Sequence, residues 1–303
     1  MEKAALLISN NLRPFIKEPS ADTYGINAQI KTLRSAFAVH DIKLETCLWQ
    51  EAPEAAPNYA AMMPLMAWDY AEGQQAQFLK VMKVVTAQTR LLNSYELLAW
   101  NADKIYLEAL AAKGVPIIPA LCVDKITEGN VEDAFSALKA DHIIIKPRIG
   151  AGAWRQVSLK RGQPLPSTSE LPPAGALIQP FQTYIQTEGE YSLLYFDGEF
   201  SHALIKRAKS GDYRIQSIYG GTEQAVTPTA KQLSVAERVL GTLPETPLYA
   251  RIDLLRGNDG SFKLIELELI EPDLYLPYAQ TIGAENQGAL KLARAVHNRI
   301  DRF

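Results

Sequence analysis

The chain has 303 residues, 47% of them hydrophobic, with 31 Lys and Arg against 34 Asp and Glu for a formal charge of −3. That length supports a large core and about two domains, and the near-neutral balance argues against a dedicated nucleic-acid binder. Cys47 and Cys122 form no CxxC or Cys/His cluster, and no run is long or apolar enough for a signal peptide or a membrane span. A cytoplasmic protein with no disulfide framework, no structural zinc and no membrane partner is expected.

The N-terminal third reads as α/β. Ala4–Ile8 is a candidate buried strand, and Asn27–Val39 a helix with Ile30, Leu33, Ala36 and Phe37 at three- and four-residue spacing. Lys43–Leu48 is a second strand, and Pro53 to Pro64 reads as a Pro/Ala-rich connection. Helices follow over Gly73–Ala87, Ser94–Trp100 and Asp103–Lys113, the last closed by Gly114 with Pro116 beyond. Strands alternating with helices imply a mostly parallel sheet. The middle of the chain offers a short strand at Val115–Pro119, a helix at Asn130–Lys139 and the strongly β-branched strand His142–Lys146. A small-residue loop, Gly150-Ala151-Gly152-Ala153, precedes strand Val157–Leu159 and an exposed Pro/Ser/Thr-rich loop from Gly162 to Gly175. The C-terminal part is dominated by strand patterns at Leu177–Phe181, Tyr191–Phe196, Glu199–Lys206 and Arg214–Tyr219. Asp197-Gly198 turns one hairpin, and Gly257–Gly260 turns a second between Leu248–Leu255 and Phe262–Leu269. Thr229–Leu240 and the closing Asn286–Arg302 are helices.

Four groups of residues carry chemistry. Glu266 and Glu268 are two apart on a strand and share a face, and Asp253 on the paired strand can join them. Three like charges repel, so either a hard dication sits between them or the face is solvated. Lys146 ends a strand just before Gly150 and Gly152; the loop is either an anion cradle or a tight turn, and it is not a Walker motif. Lys206, Arg207, Lys209 and Arg214 are either a solvated basic loop or a clamp for phosphate and carboxylate. Gln179-Pro180-Phe181, then Glu188 and Glu190, offer a strand edge for a purine and carboxylates for ribose hydroxyls, a pattern that says little alone. No Ser/His/Asp or Cys/His set is evident, and His142 and His202 read as structural.

Taken in order from about Trp68 to Leu276, these segments resemble the ATP-grasp superfamily in its glutathione-synthetase-like branch. Trp68-Asp69-Tyr70 and Trp100-Asn101-Ala102-Asp103-Lys104 are most similar to the subgroup containing the O-ureido-serine cyclo-ligases. The resemblance implies an α/β pre-ATP-grasp domain over residues 1–100, a small lobe over 101–178 and a large lobe over 179–303, with antiparallel sheets in the two lobes. It implies ATP and Mg²⁺ or Mn²⁺ as cofactors, and small-molecule carboxylate and amine substrates joined through an acylphosphate, with a small-molecule kinase or a non-catalytic nucleotide-binding protein of the same fold as the alternatives. Lys104 and Lys146 would hold phosphates, Gly150 to Ala153 would fold over them, Gln179 to Phe181 would line the adenine, and Glu190, with Glu188 nearby, would bind the ribose. Arg214, with Lys206 and Arg251, would serve the transferring phosphoryl group, and Asp253, Glu266 and Glu268 would hold metal. Glu268 departs from the Asn common at that family position and adds a negative charge. Family members are often homodimers. Arg13, Tyr24 to Asn27, Asp69, Tyr70, Arg207, Arg251 and the loop after Gly220 are the positions from which substrate contacts are expected.

Overall fold

The computed structural model describes residues 1–18, 25–150 and 152–301; Tyr24, Ala151 and Arg302 lie outside them. Four parallel strands build the first sheet: β1 (Glu2–Ile8), β2 (Ile42–Leu48), β3 (Ala61–Met66) and β4 (Arg90–Leu91), in the order β2-β1-β3-β4. Helices cover both faces, as a parallel sheet requires. Helices Ile26–Ala38 and Gln287–Asp301 share one core with Leu6 and Met63, while Phe78, Met82 and Val85 of helix Gln75–Thr86 meet Ala5, Leu7 and Met62 on the other side.

β3 corrects the reading of Pro53 to Pro64 as a connection. Proline lacks the N–H a central strand needs. Pro64 is accommodated because the β1–β3 register shifts there, Leu6 facing Met63 and Ile8 facing Met66.

The second sheet is antiparallel, in the order β5-β8-β6-β7: β5 (Leu121–Val123), β6 (His142–Pro147), β7 (Val157–Lys160) and β8 (Ala176–Pro180). The expected strand Val115–Pro119 does not form. Pro116 and Pro119 interrupt it, and only a single bridge from Ile117 to Leu264 is made. The third sheet, also antiparallel, runs β11-β10-β9-β12-β13: β9 (Glu190–Phe196), β10 (Glu199–Arg207), β11 (Thr222–Val226), β12 (Tyr249–Arg256) and β13 (Phe262–Glu268). Arg214–Tyr219, expected as a strand, is a loop ending in a 3₁₀ turn. Asp212 accepts the backbone N–H groups of Tyr213 and Arg214, which bends the chain out of an extended path. A two-residue ladder, β14 (Thr281–Ile282) with β15 (Glu285–Asn286), leads into the last helix. No helix among the described residues is long and apolar enough to cross a membrane.

Candidate active site

The second and third sheets face each other across a cavity of about 390 Å³. One end is an apolar slot made by Ile144, Phe181, Ile185, Ile215, Leu255 and Ile265. Strand alternation places two of them: Ile144 lies two residues before Lys146, and Leu255 two after Asp253, so each shares a face with its charged neighbour. Phe181 stacks on His142 at 4.1 Å and 10°, and its N–H donates to the His142 carbonyl. Gln179 is buried beside this slot, with its amide 3.4 Å from the Ile118 carbonyl.

Next along the cavity come the lysines. Lys146 reaches it from β6, is 8% exposed, and makes no ion pair among the described residues. Burial lowers its pKa, with Glu266 and other carboxylates opposing that shift. Lys104 sits in the turn between helices Tyr95–Asn101 and Tyr106–Ala112; its Nζ is 2.6 Å from the Gly150 carbonyl and 3.1 Å from Glu266 Oε1. Arg148 anchors this corner by a fork onto Asp103, at 3.0 and 2.6 Å, and its carbonyl accepts the Lys104 N–H. Sequence spacing gave no hint of that pair. Gly150 has φ +151°, a conformation that side chains rarely adopt.

The carboxylates converge as the hairpin register requires. Asp253 faces Glu266 and Arg251 faces Glu268 across β12–β13. Asp253, 1% exposed, is gripped by Arg251 at 2.9 Å and by the Ser192 hydroxyl, with Lys206 at 3.6 Å. Burial pushes its carboxyl up, but Arg251 and Lys206 outweigh burial and hold it below the usual range. Lys206 also pairs with Glu190 at 2.7 Å, and burial leaves Glu190 raised despite that partner. Glu266 is held low by Lys104 and Lys146 against its burial. Glu268 pairs with Arg251, yet burial with Glu266 and Asp253 alongside pushes it up to about 8. The repulsion expected of this face is therefore offset by the chain's own cations, and among the described residues no three His, Cys, Asp or Glu side chains form a preformed metal cage. The donor set nevertheless suits Mg²⁺, which takes one or two protein carboxylates and completes its shell with phosphate and water.

Arg214 lies in the cavity wall, forked onto Asp212 and stacked 4.0 Å over the Tyr219 ring. Pro180 and Gly152 also line the cavity. Glu188 does not: it is forked by Arg256 at 2.5 and 3.0 Å and accepts from the Tyr191 hydroxyl. Between Glu188 and Glu190, Gly189 has φ +111°, and a Cβ there would lie 2.4 Å from the Lys206 carbonyl. Of the expected substrate contacts, Arg251 lines the cavity. Arg13 pairs with Glu51, Asp69 accepts from Trp49 and Asn10, and Arg207 holds Gln224. Trp68, Glu271, Asp273 and Tyr275, none of them an expected contact, also line the cavity. The Trp68 indole donates to the Glu271 carbonyl, burial and Glu268 raise the pKa of the Glu271 carboxyl well above normal, and Tyr70 is buried against Phe78. Tyr275 has φ 47°, with Lys206 and Arg251 at 5.8 and 5.6 Å from its ring centroid.

Comparison with known proteins gives this arrangement its context. Residues 5–93 match the family described as D-cycloserine synthetase DcsG, N-terminal domain. The cycloserine biosynthesis protein DcsG of Streptomyces lavendulae is 30% identical over 294 residues, 91% of this chain and 95% of that protein. The chain belongs to the DcsG family of ATP-grasp ligases. The crystal structure of D-cycloserine synthetase DcsG superposes with a TM-score of 0.82 at 28% identity, covering 99% of this chain and 100% of that one. The D-alanine–D-alanine ligase of Bacillus anthracis shares the fold, with a TM-score of 0.67 at 13% identity and coverage of 99% and 98%. This DcsG-family chain is accordingly an ATP-dependent ligase that forms C–N bonds.

Proposed function

We propose that the protein uses ATP to activate a small amino-acid-like carboxylate as an acylphosphate, which a nitrogen of the same molecule then attacks to close a ring. The carrying observation is the meeting of Lys104 and Lys146, from separate parts of the chain, beside Glu266 and Asp253 in one cavity. The DcsG relatives, named for cycloserine biosynthesis and synthesis, favour ring closure over joining two molecules.

In this reading the purine enters the apolar slot against Phe181, Gln179 and Pro180, and Glu190 takes the ribose. The triphosphate lies along Lys146, Lys104 and the loop from Gly150 to Ala153. Asp253 and Glu266, with Glu268 beside them, would hold Mg²⁺, which when bound neutralises phosphate charge and supports phosphoryl transfer. A carboxylate oxygen attacks the γ-phosphorus and ADP leaves; the nitrogen then attacks the acyl carbon, phosphate leaves, and the nitrogen's proton passes to solvent. Arg214 and Arg251 offset charge on the transferring group, and Lys206 keeps Glu190 and Asp253 in place. The lining at Trp68, Glu271, Asp273 and Tyr275 sets carboxyl groups beside aromatic faces, and a substrate ammonium there would draw Glu271 into its ionised form. Residues 1–100, 101–178 and 179–303 are the units that bring these parts together.

The test is release of ADP and phosphate with Mg·ATP and single amino acids, O-ureido-serine of either hand first, then pairs of acids and amines. Equal amounts of ADP and free phosphate with one compound alone support ring closure. A stable phosphorylated product without free phosphate would refute ligation.

A further inference from the structure

β13 carries Glu266 and Glu268, and it is an edge strand, with β12 on one side only. Its outer edge should therefore show unpaired backbone groups in the protein interior, an expensive arrangement. At Leu264 the edge is met by backbone: the Leu264 N–H donates to the Pro116 carbonyl at 2.8 Å, and its carbonyl accepts the Ile118 N–H at 3.0 Å. Beyond Leu264 no backbone among the described residues takes over, and side chains do the pairing. The Tyr106 hydroxyl accepts the Leu267 N–H at 2.8 Å and donates to the Leu267 carbonyl at 3.0 Å. The Asn101 amide donates to that same carbonyl at 2.9 Å and accepts the Leu269 N–H at 2.8 Å. Asn93 takes the Leu269 carbonyl at 2.9 Å. Leu267 and Leu269 alternate with Glu266 and Glu268, so fixing their backbone fixes where the two carboxylates project.

Asn101 and Tyr106 also bracket Lys104. Asn101 ends one helix, Tyr106 begins the next, and the turn between them delivers Lys104 Nζ to within 3.1 Å of Glu266. One six-residue segment thus holds the carboxylate strand by its backbone and touches its side-chain face with a lysine.

We infer that Asn101 and Tyr106 are positioning residues that set the spacing between Lys104 and the carboxylates of β13, and so the affinity of the site for magnesium nucleotide. The inference rests on the proposed role of Lys104 and Glu266. Neither residue lines the cavity, so they act through those partners.

The test uses the full chain and titrates Mg²⁺ with ADP by calorimetry. Tyr106→Phe keeps the ring, which packs 5.2 Å from Trp100, and loses both hydroxyl bonds. Asn101→Ser shortens the second clamp and stands in if the first variant does not fold. Each should weaken Mg·ADP binding by roughly tenfold. A control, Ile30→Val, trims a methylene from helix Ile26–Ala38 in the first sheet's core and lowers stability away from this strand. It should leave Mg·ADP affinity unchanged. Unaltered affinity in folded Tyr106→Phe or Asn101→Ser, or equal weakening in Ile30→Val, would overturn the inference. Failure of the wild-type chain to bind Mg·ADP would instead overturn the functional reading beneath it.

Discussion

Lys146→Met separates the cost of a buried charge from its use. The ammonium is 8% exposed, has no ion pair among the described residues, and has its pKa lowered first by burial. Met preserves most of the stem's volume and removes the charge, so the ligand-free variant should be as stable as the parent or more so. The pH dependence has a definite sign. A base with a folded pKa below its unfolded value binds fewer protons when folded, so stability rises with pH as the range between the two values is crossed. That alkaline rise should diminish in Lys146→Met. Nucleotide binding should move the other way. Losing a charge-assisted bond to phosphate costs about 1.5–3 kcal/mol, roughly 10- to 150-fold in affinity. With Mg·ADP at about 100 times the parent dissociation constant, the parent gains about 2.7 kcal/mol. A variant weakened about 100-fold gains about 0.4 kcal/mol. The difference is about 4 °C of ligand-induced melting shift for a chain of this size. Scanning fluorimetry with and without Mg·ADP reads both quantities. An undiminished ligand-induced shift in Lys146→Met would refute the phosphate role.

Glu266→Gln keeps the side chain's shape and removes the carboxylate that meets Lys104, so the Mg²⁺ concentration for half-maximal ADP release should rise roughly tenfold; a parental magnesium curve would count against a metal role. Glu271→Gln should raise KM for an amino-bearing substrate roughly tenfold, or about 1.4 kcal/mol, with KM for Mg·ATP unmoved. Steady-state kinetics with each substrate varied in turn distinguishes this from general damage. Gly189→Ala places a methyl against the Lys206 carbonyl at φ +111° and should cost at least about 2 kcal/mol in thermal unfolding; a parental melting temperature would show that the backbone relaxes there without penalty.

What the sequence made legible follows strand geometry. The face shared by Asp253, Glu266 and Glu268 could be read because a hairpin fixes its own register and alternation fixes the face. Lys146 could be read because a β-branched run announces its strand. Arg214-Ile215-Gln216 alternates like a strand, and what bends it is one Asp212 carboxylate accepting two backbone N–H groups, a local bond that competes with extension. Glu271, Asp273 and Tyr275 follow the last strand in irregular chain, where no periodicity marks them, and Trp68 reaches Glu271 across 203 positions. Asn101 stands in the motif that ends at Lys104 and Tyr106 lies two residues beyond it, but their partners lie more than 160 positions away and are backbone atoms, which no residue pattern records.

The distribution of charge along the cavity orders what enters it. A carboxylate as enclosed as Asp253 would cost several kcal/mol if unpaired, and Arg251, Lys206 and Ser192 remove that cost. Those cations are committed to carboxylates already present. Lys146 has no such partner, so positive charge is in surplus beside the apolar slot. Beside Trp68 and Tyr275, burial and neighbouring carboxylates raise Glu268 to about 8 and Glu271 well above the ordinary range, so both favour their neutral form until an approaching cation draws them into the ionised one. A polyanion is favoured beside Lys146, and an ammonium beside Glu271 would be met by a carboxyl that ionises as the cation approaches. Under the proposed function, a substrate bearing both a carboxylate and an amino group would lie with its ammonium toward Glu271 and its carboxylate toward the phosphates. That polarity places a carboxylate oxygen, rather than the amine, next to the phosphoryl group, which is the order of events that activation before C–N bond formation demands.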